Sequence, residues 1–390
     1  MPSNGGDARR PAAAAVQLLG AALGLVILCA AWCMDAAWAD RHFLPAWAYS
    51  WETQLRILFW LRIAVALTGL GVLLLLTPWA ARAAGSGRGR RALGSAFAAL
   101  IAVALAFVAV ELLLHTRGWQ SAQERWDSQE PLRARDADYG WTFVPNHHGT
   151  VALHGRTVHY ATGPFGYRVE APGKAPDFAA PTILFAGESI MLGYGLEWPE
   201  TIPAQVQAMT GVQAVNMAVN AHATDQMLMR LRRELPRFPH PSAVVIPFVP
   251  CLFDRNLDTD RPHLDAALRR RPADPPSYRI VELARRAVRY RGDKAIAEGT
   301  AMTRAALKAA IALARARGAR TLVVVPQFLP ESRREAEVRK AVLDDGGIPY
   351  LLVPVRPEWR FPVDRHPTPT GARVLAARIA AALAGRGRPA

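Results

Sequence analysis

A serine hydroxyl is a poor nucleophile at neutral pH unless a neighbouring base, usually a histidine oriented by a carboxylate, takes its proton. Ser189 stands in the stretch Thr182-Ile-Leu-Phe-Ala-Gly187-Glu188-Ser189, followed by the glycines Gly193 and Gly195. The apolar, β-prone run Ile183–Phe185 predicts a strand, Gly187 permits a sharp turn, and Ser189 then falls at a helix start. Free N–H groups there point at developing negative charge. Taken alone, the stretch is equally a plain strand–loop–helix connection. The far end of the chain supplies a partner: Asp364-Arg365-His366 lies on a loop flanked by Pro362 and Pro367, just before an Ala-rich helical run, Thr370–Leu383. Two residues apart on such a loop, Asp364 and His366 can face the same sheet edge as Ser189.

With these blocks in view, the chain from about Asp138 to Leu383 resembles the SGNH/GDSL hydrolase superfamily, in particular its membrane-anchored, extracytoplasmic branch. Gly187-Glu188-Ser189 is similar to the family's Gly-Asp-Ser block, with Glu for the usual Asp. Asp364-Arg365-His366 is similar to its terminal Asp/His block. Gly140-Trp-Thr-Phe-Val-Pro-Asn146 and Gly163-Pro-Phe-Gly-Tyr-Arg168 resemble the lead-in of this branch. The resemblance implies Ser189, His366 and Asp364 as catalytic residues, and an oxyanion hole formed by the N–H groups of Ser189 and of a second-block glycine, whose place Ala221 takes. It further implies a third-block asparagine, which is absent. Cys251 is its closest match, while Asn220 or Asn256 are substitutes that spacing alone does not decide. A thiol is a weak donor, and losing one oxyanion donor costs roughly 3 kcal/mol. Gly187 and Glu188 are expected to be structural, Glu188 accepting N–H bonds within the turn. Neither metal nor organic cofactor is implied.

These residues need a scaffold, and the pattern after Ser189 is βα repeated. Strands are predicted at Val212–Val215, Ala243–Phe248, Thr321–Val325 and Tyr350–Val353. Helices are predicted at Asp225–Leu235, Thr300–Arg317, Glu331–Leu343 and Thr370–Leu383. Apolar strands alternating with helices imply an α/β fold, a parallel sheet covered on both faces in three α/β/α layers of flavodoxin-like type. Sites in such sheets lie at the carboxyl ends of the strands. Upstream, Thr150–Tyr160 reads as two short strands. Leu252–Gly299, rich in Pro and Arg, reads as an insertion carrying a basic amphipathic helix, Tyr278–Arg291. That segment is either a packed surface excursion or a lid or membrane-facing element.

The 390 residues are 51% hydrophobic, with a mean hydropathy of +0.06. The excess sits in the first third. About Ala12–Met34, Ile57–Ala80 and Ala92–Leu114 are three runs near the roughly 20 residues that a spanning helix needs. The first has an alternative as a signal peptide with Ala37-Trp38-Ala39 at its end; an uncleaved three-helix anchor fits its length better. Arg9, Arg10 and the acid-free loop 81–91 with its four arginines put the N-terminus in the cytoplasm, and three spans then deliver the chain after about His115 to the outside. The expected organisation is therefore a membrane anchor over 1–115, a linker with lead-in strands over 116–181 and a hydrolase domain over 182–390. The expected location is a bacterial inner membrane, multi-pass, with the catalytic domain periplasmic or extracellular.

The net charge of +15 is mostly arginine. Runs such as Arg230–Arg233 and Arg285–Arg291 read as solvated helix faces; attraction to anionic head groups or acidic polysaccharide is a further option. Nucleic-acid binding is not expected, since no reader motif occurs. His147, His148, His154 and His159 cluster without a cysteine or carboxylate at ligand spacing, so no metal is expected. Cys29 and Cys33 fall inside the first span and Cys251 is alone downstream. The spans hold few ionisable residues (Arg62, Glu111), which argues against a transport path. The function expected from the resemblance is ester hydrolysis, or O-acyl transfer, on an O-acylated substrate of carbohydrate type. From another class comes a catalytically weakened domain that binds glycan within an envelope polysaccharide assembly.

Overall fold

The computed structural model describes residues 9–43, 51–85, 89–119, 132–153, 155–275, 277–287, 289–362 and 364–385, with side chains at 9–12, 51–54, 84–100, 286 and 287 left aside. His154, residues 120–131 of the predicted linker and residues 86–88 of the arginine-rich loop 81–91 lie outside the described residues. Chain contacts divide the molecule into a helical unit (1–43, 49–119, 277–289) and an α/β unit (44–48, 120–276, 290–390).

The helical unit contains α1 (Arg9–Cys33), α2 (Trp51–Gly71), α3 (Thr77–Gly85) and α4 (Gly89–Thr116). A π-helical turn, Val72–Leu76, joins α2 to α3. Small residues let α1 and α2 approach closely: a Cβ on Gly24 or on Gly69 would stand 3.1 Å from the other's carbonyl oxygen, a packing device of apolar helix pairs. Two segments are long and apolar enough to cross a membrane by length and composition, Ala13–Cys33 and Leu55–Ala83. The sequence predicts three. The described apolar part of α4, Ile101–Thr116, is shorter, and the side chains at 92–100 of the predicted third span lie outside the described residues. Arg62 and Glu111, ionisable residues within the apolar runs, both have partners. Arg62 Nε donates to the Ala31 carbonyl at 3.1 Å, and Glu111 accepts the N–H groups of Arg279 and Ile280 at 2.8 and 2.9 Å. The helix Arg279–Ala287, from the predicted insertion, thus packs on α4, with Tyr278 edge-on to Phe107 at 5.5 Å.

The α/β unit is built on one eight-stranded sheet: β1 (His148–Leu153), β2 (Arg156–Thr162), β3 (Arg168–Val169), β4 (Thr182–Phe185), β5 (Gln213–Asn216), β6 (Pro241–Pro247), β7 (Arg320–Phe328) and β8 (Leu351–Val355). Their order is β8-β7-β6-β4-β5-β3-β2-β1. The five strands β5-β4-β6-β7-β8 are parallel, a doubly wound order. The sheet is mixed rather than wholly parallel, because the lead-in strands β1–β3 extend its β5 edge antiparallel. The pleat sorts the core into two layers. Leu184, Val244, Ile246, Val323 and Val325 face the helices Thr224–Glu234 and Asp293–Arg315. Ile183, Phe185, Val245, Val324 and Val353 face Ile202–Thr210 and Pro369–Leu383. The helix expected from Thr300 begins at Asp293, which shortens the insertion.

Candidate active site

Ser189, Glu188, Asp364 and His366 meet where β4 and β8 end. After Phe185 the chain turns through Gly187, whose φ is +141°. A Cβ there would stand 2.6 Å from Pro247 Cγ, so glycine is required for both conformation and space. Ser189 opens the short helix Ser189–Leu192, and Glu188 caps it: its Oε2 accepts the Ile190 N–H at 2.8 Å. The expected N–H bond in the turn is present. Unexpectedly, the same oxygen also accepts the Ser189 hydroxyl at 2.9 Å.

Across from it, His366 Nε2 lies 2.9 Å from Ser189 Oγ. His366 Nδ1 stands 3.0 Å from Asp364 Oδ2 in a bent contact, and the His366 backbone N–H donates to Asp364 Oδ1 at 3.1 Å. Between them Arg365 takes φ +62°, a left-handed turn closed by Phe361 N–H donating to the His366 carbonyl at 2.8 Å. That turn folds the carboxylate back onto the ring. Ser189 and His366 are 1% and 6% exposed, while the Asp364 side chain keeps 24% of its surface. This chain of contacts can activate a hydroxyl for attack on a carbonyl.

The remaining predicted residues stand differently. Ala221 has φ +62°, a conformation that L-residues other than Gly, Asn and Asp rarely adopt. The Asn220 carbonyl accepts the Trp141 indole N–H at 2.9 Å. Cys251 is buried within the apolar layer that contains Val249 and Leu252, and burial pushes its thiol well above the usual range. Asn256 is not a spare donor: its Oδ1 accepts Thr224 N–H at 2.8 Å and its Nδ2 donates to Thr303 Oγ1 at 2.9 Å. Arg230 departs from the solvated-face expectation. It is 2% exposed and donates to the Thr142 hydroxyl and the Gly166 carbonyl. His159 N and Nδ1 both contact Glu197 Oε1 at 3.0 Å.

Several site-building residues escaped the sequence reasoning. Arg168, 1% exposed, donates to the carbonyls of Leu192, Gly193 and Leu196 and stacks 4.2 Å over the Tyr160 ring. It fastens the loop that follows Ser189. Tyr160 Oη accepts Gly195 N–H at 2.8 Å, and Asn216 Nδ2 donates to the Met191 carbonyl at 3.0 Å. Tyr194 lies against His366, ring centroids 4.7 Å apart. The position of Arg168 at the end of a quoted lead-in block was the one available signal. Buried His222 is the last. Its Nε2 contacts the Trp141 carbonyl at 2.9 Å, and burial, reinforced by Arg230, Arg133 and Arg261, holds its pKa well below the usual value.

Comparison with solved structures follows from this geometry. The chain is similar in structure to GDSL-type lipolytic proteins. A putative G-D-S-L-family lipolytic protein from Desulfitobacterium hafniense matches over 51% of this chain and 97% of its own, at 11% identity and a TM-score of 0.32. A GDSL-like lipase from Bacteroides thetaiotaomicron matches over 52% and 88%, at 15% identity and a TM-score of 0.29. A variant of the esterase AlinE4 matches over 55% and 100%, at 18% identity and a TM-score of 0.31. No family model matches the chain, and no curated protein does.

Proposed function

We propose that this chain is a membrane-anchored serine hydrolase of the SGNH/GDSL type that acts on ester bonds of an extracytoplasmic, O-acylated carbohydrate. The observation that carries the proposal is the contact series from Ser189 Oγ to His366 Nε2 at 2.9 Å and from His366 Nδ1 to Asp364 Oδ2 at 3.0 Å. In this mechanism the single hydrogen of the Ser189 hydroxyl turns from Glu188 Oε2 to His366 Nε2, which takes it as Oγ attacks the acyl carbonyl carbon. Asp364 holds the tautomer with hydrogen on Nδ1 and stabilises the imidazolium. The N–H groups of Ser189 and Ala221 receive the oxyanion. The ester C–O bond then breaks, His366 returns the proton to the leaving alkoxide, and an acyl group remains on Ser189. Attack by water completes hydrolysis; attack by a sugar hydroxyl completes acyl transfer. The two apolar segments of the helical unit, with Ala92–Leu114 as a third span, would anchor the chain in the inner membrane, multi-pass; with three spans, the arginines of the N-terminus and of loop 81–91 favour a periplasmic catalytic unit.

The strained φ of Ala221 and the apolar burial of Cys251 favour one second reading, a weakened site that binds glycan inside an envelope assembly. The deciding experiment uses the full chain in detergent with a fluorophosphonate probe and a short-chain aryl ester, beside Ser189→Ala and His366→Ala. Labelling and turnover in the wild type, lost in both variants, support the hydrolase. A folded wild type that neither labels nor turns over leaves the glycan-binding reading.

A further inference from the structure

Behind the nucleophile turn lies a cavity of about 30 Å³ whose walls include Gly187, Glu188, His222, Thr224, Phe248 and Asn256. Among the described residues two of its wall side chains each keep a buried polar atom without a hydrogen-bond partner, Glu188 Oε1 and His222 Nδ1. Their residues are 8% and 2% exposed. Buried polar atoms are nearly always satisfied by protein or by ordered water, and each left unmade costs roughly 1–3 kcal/mol.

The chemistry of the two atoms defines what fits. The His222 ring is neutral, because burial and three nearby guanidinium groups disfavour its charged form. Its Nε2 faces the Trp141 carbonyl, 2.9 Å away, which can only accept, so the ring hydrogen sits on Nε2 and Nδ1 presents a lone pair. Glu188 Oε2 already receives two hydrogens, from Ser189 Oγ and Ile190 N, and Oε1 is left as the second acceptor of the same side chain. Two acceptors across a cavity with room for one small molecule call for a species with two hydrogens to give. Thr224 N–H and both ends of the Asn256 amide are engaged elsewhere.

We propose that this cavity is a single-water site, the water donating one hydrogen to Glu188 Oε1 and the other to His222 Nδ1, and that His222 is thereby a positioning residue for Ser189. The polar series runs His222, water, Glu188, Ser189. The carboxylate that touches the nucleophile is gripped at both oxygens, so the serine hydroxyl is held at its rear as well as by His366. The water site stands on the cavity alone, whereas the positioning role rests on the serine-hydrolase reading.

The test pairs a structure with a rate on the full chain in detergent. A crystal structure at a resolution that shows ordered water is expected to hold one water within hydrogen-bond reach of both atoms. His222→Gln keeps an N–H for the Trp141 carbonyl and removes the Nδ1 acceptor. It is expected to lower the rate of fluorophosphonate labelling about ten-fold while the KM for an aryl ester stays unchanged. Glu188→Gln, whose amide presents an N–H to the cavity where the carboxylate presents an acceptor, should label slowly too; it serves should His222→Gln not fold. A dry cavity overturns the water site. His222→Gln labelling at the wild-type rate, or Glu188→Gln doing so where the first variant is unfolded, overturns the positioning role. A wild type that neither labels nor hydrolyses would defeat the hydrolase reading, and the positioning role with it, while the density still decides the water.

Discussion

Replacing Asp364 by Asn separates orientation of the imidazole from its mere presence. Asp364 holds His366 at two points, the backbone N–H at Oδ1, 3.1 Å away, and Nδ1 at Oδ2, 3.0 Å away. An amide has one acceptor and one donor, so it can satisfy only one of the two. If the amide oxygen stays on the backbone N–H, the NH2 group faces Nδ1 and forces that nitrogen to accept. The ring hydrogen then moves to Nε2, where it blocks proton transfer from Ser189. The opposite rotamer sets two donors against each other at the backbone, at roughly 1–3 kcal/mol, so the blocking arrangement is the more stable. A buried Asp→Asn change in a Ser-His-Asp triad loses about 10⁴-fold in kcat. The Asp364 side chain is 24% exposed, and water can relieve part of the conflict, which sets the expectation near about 10³-fold, or about 4 kcal/mol. The assay is aryl-ester kcat together with fluorophosphonate labelling, with thermal unfolding as the check on folding. A folded Asp364→Asn enzyme retaining more than about a tenth of wild-type kcat would refute the assigned role.

Three further outcomes are expected. Gly187→Ala would place a Cβ 2.6 Å from Pro247 Cγ at φ +141°, so labelling should be abolished and the melting temperature lowered; unchanged labelling would show that the turn tolerates a side chain. Arg168→Met leaves three loop carbonyls without their guanidinium and should destabilise the α/β unit by about 3 kcal/mol or more, at roughly 1–3 kcal/mol for each buried polar group left unpaired, measured by denaturant unfolding. His222 has its pKa depressed by burial, so the unfolded chain takes up the proton that the folded chain refuses. Its contribution is complete above its unfolded value of about 6.5 and is lost as pH falls below it. Unfolding measured from pH 7 to 5 should steepen for the wild type relative to His222→Gln; parallel curves would contradict a buried neutral ring.

The parts of the fold that local pattern governs were legible in the residues. Ile183–Phe185 before Gly187, and the Pro-bounded Asp364 loop before the last helix, are local signals, and the structure brings their side chains within hydrogen-bond distance. The parts that depend on distant partners were not. Arg168 reads as one arginine among many, and only its carbonyl partners reveal a clamp. Asn256 reads as a spare donor until Thr224 and Thr303 are seen to occupy both ends of its amide. The antiparallel join of β3 to β5 rests on a single residue pair, Arg168 with Asn216, too little to leave a periodic trace. Likewise Ala221 reads as a plain replacement for glycine, and its φ emerges only from the folded loop.

The helix Arg279–Ala287 has a practical side. The chain leaves the α/β unit at residue 276, contributes this helix to the helical unit and returns at 290. Its first two N–H groups rest on Glu111. A truncation that starts after Trp119, the obvious route to a soluble protein, removes Phe107 and Glu111 yet keeps the segment they hold. Such a fragment would carry a helix with uncapped N–H groups and an orphaned Tyr278, prone to self-association and protease cleavage. A shortened form is better made with residues 277–289 replaced by a short Gly/Ser connection, so that one edit removes both halves of the same packed pair.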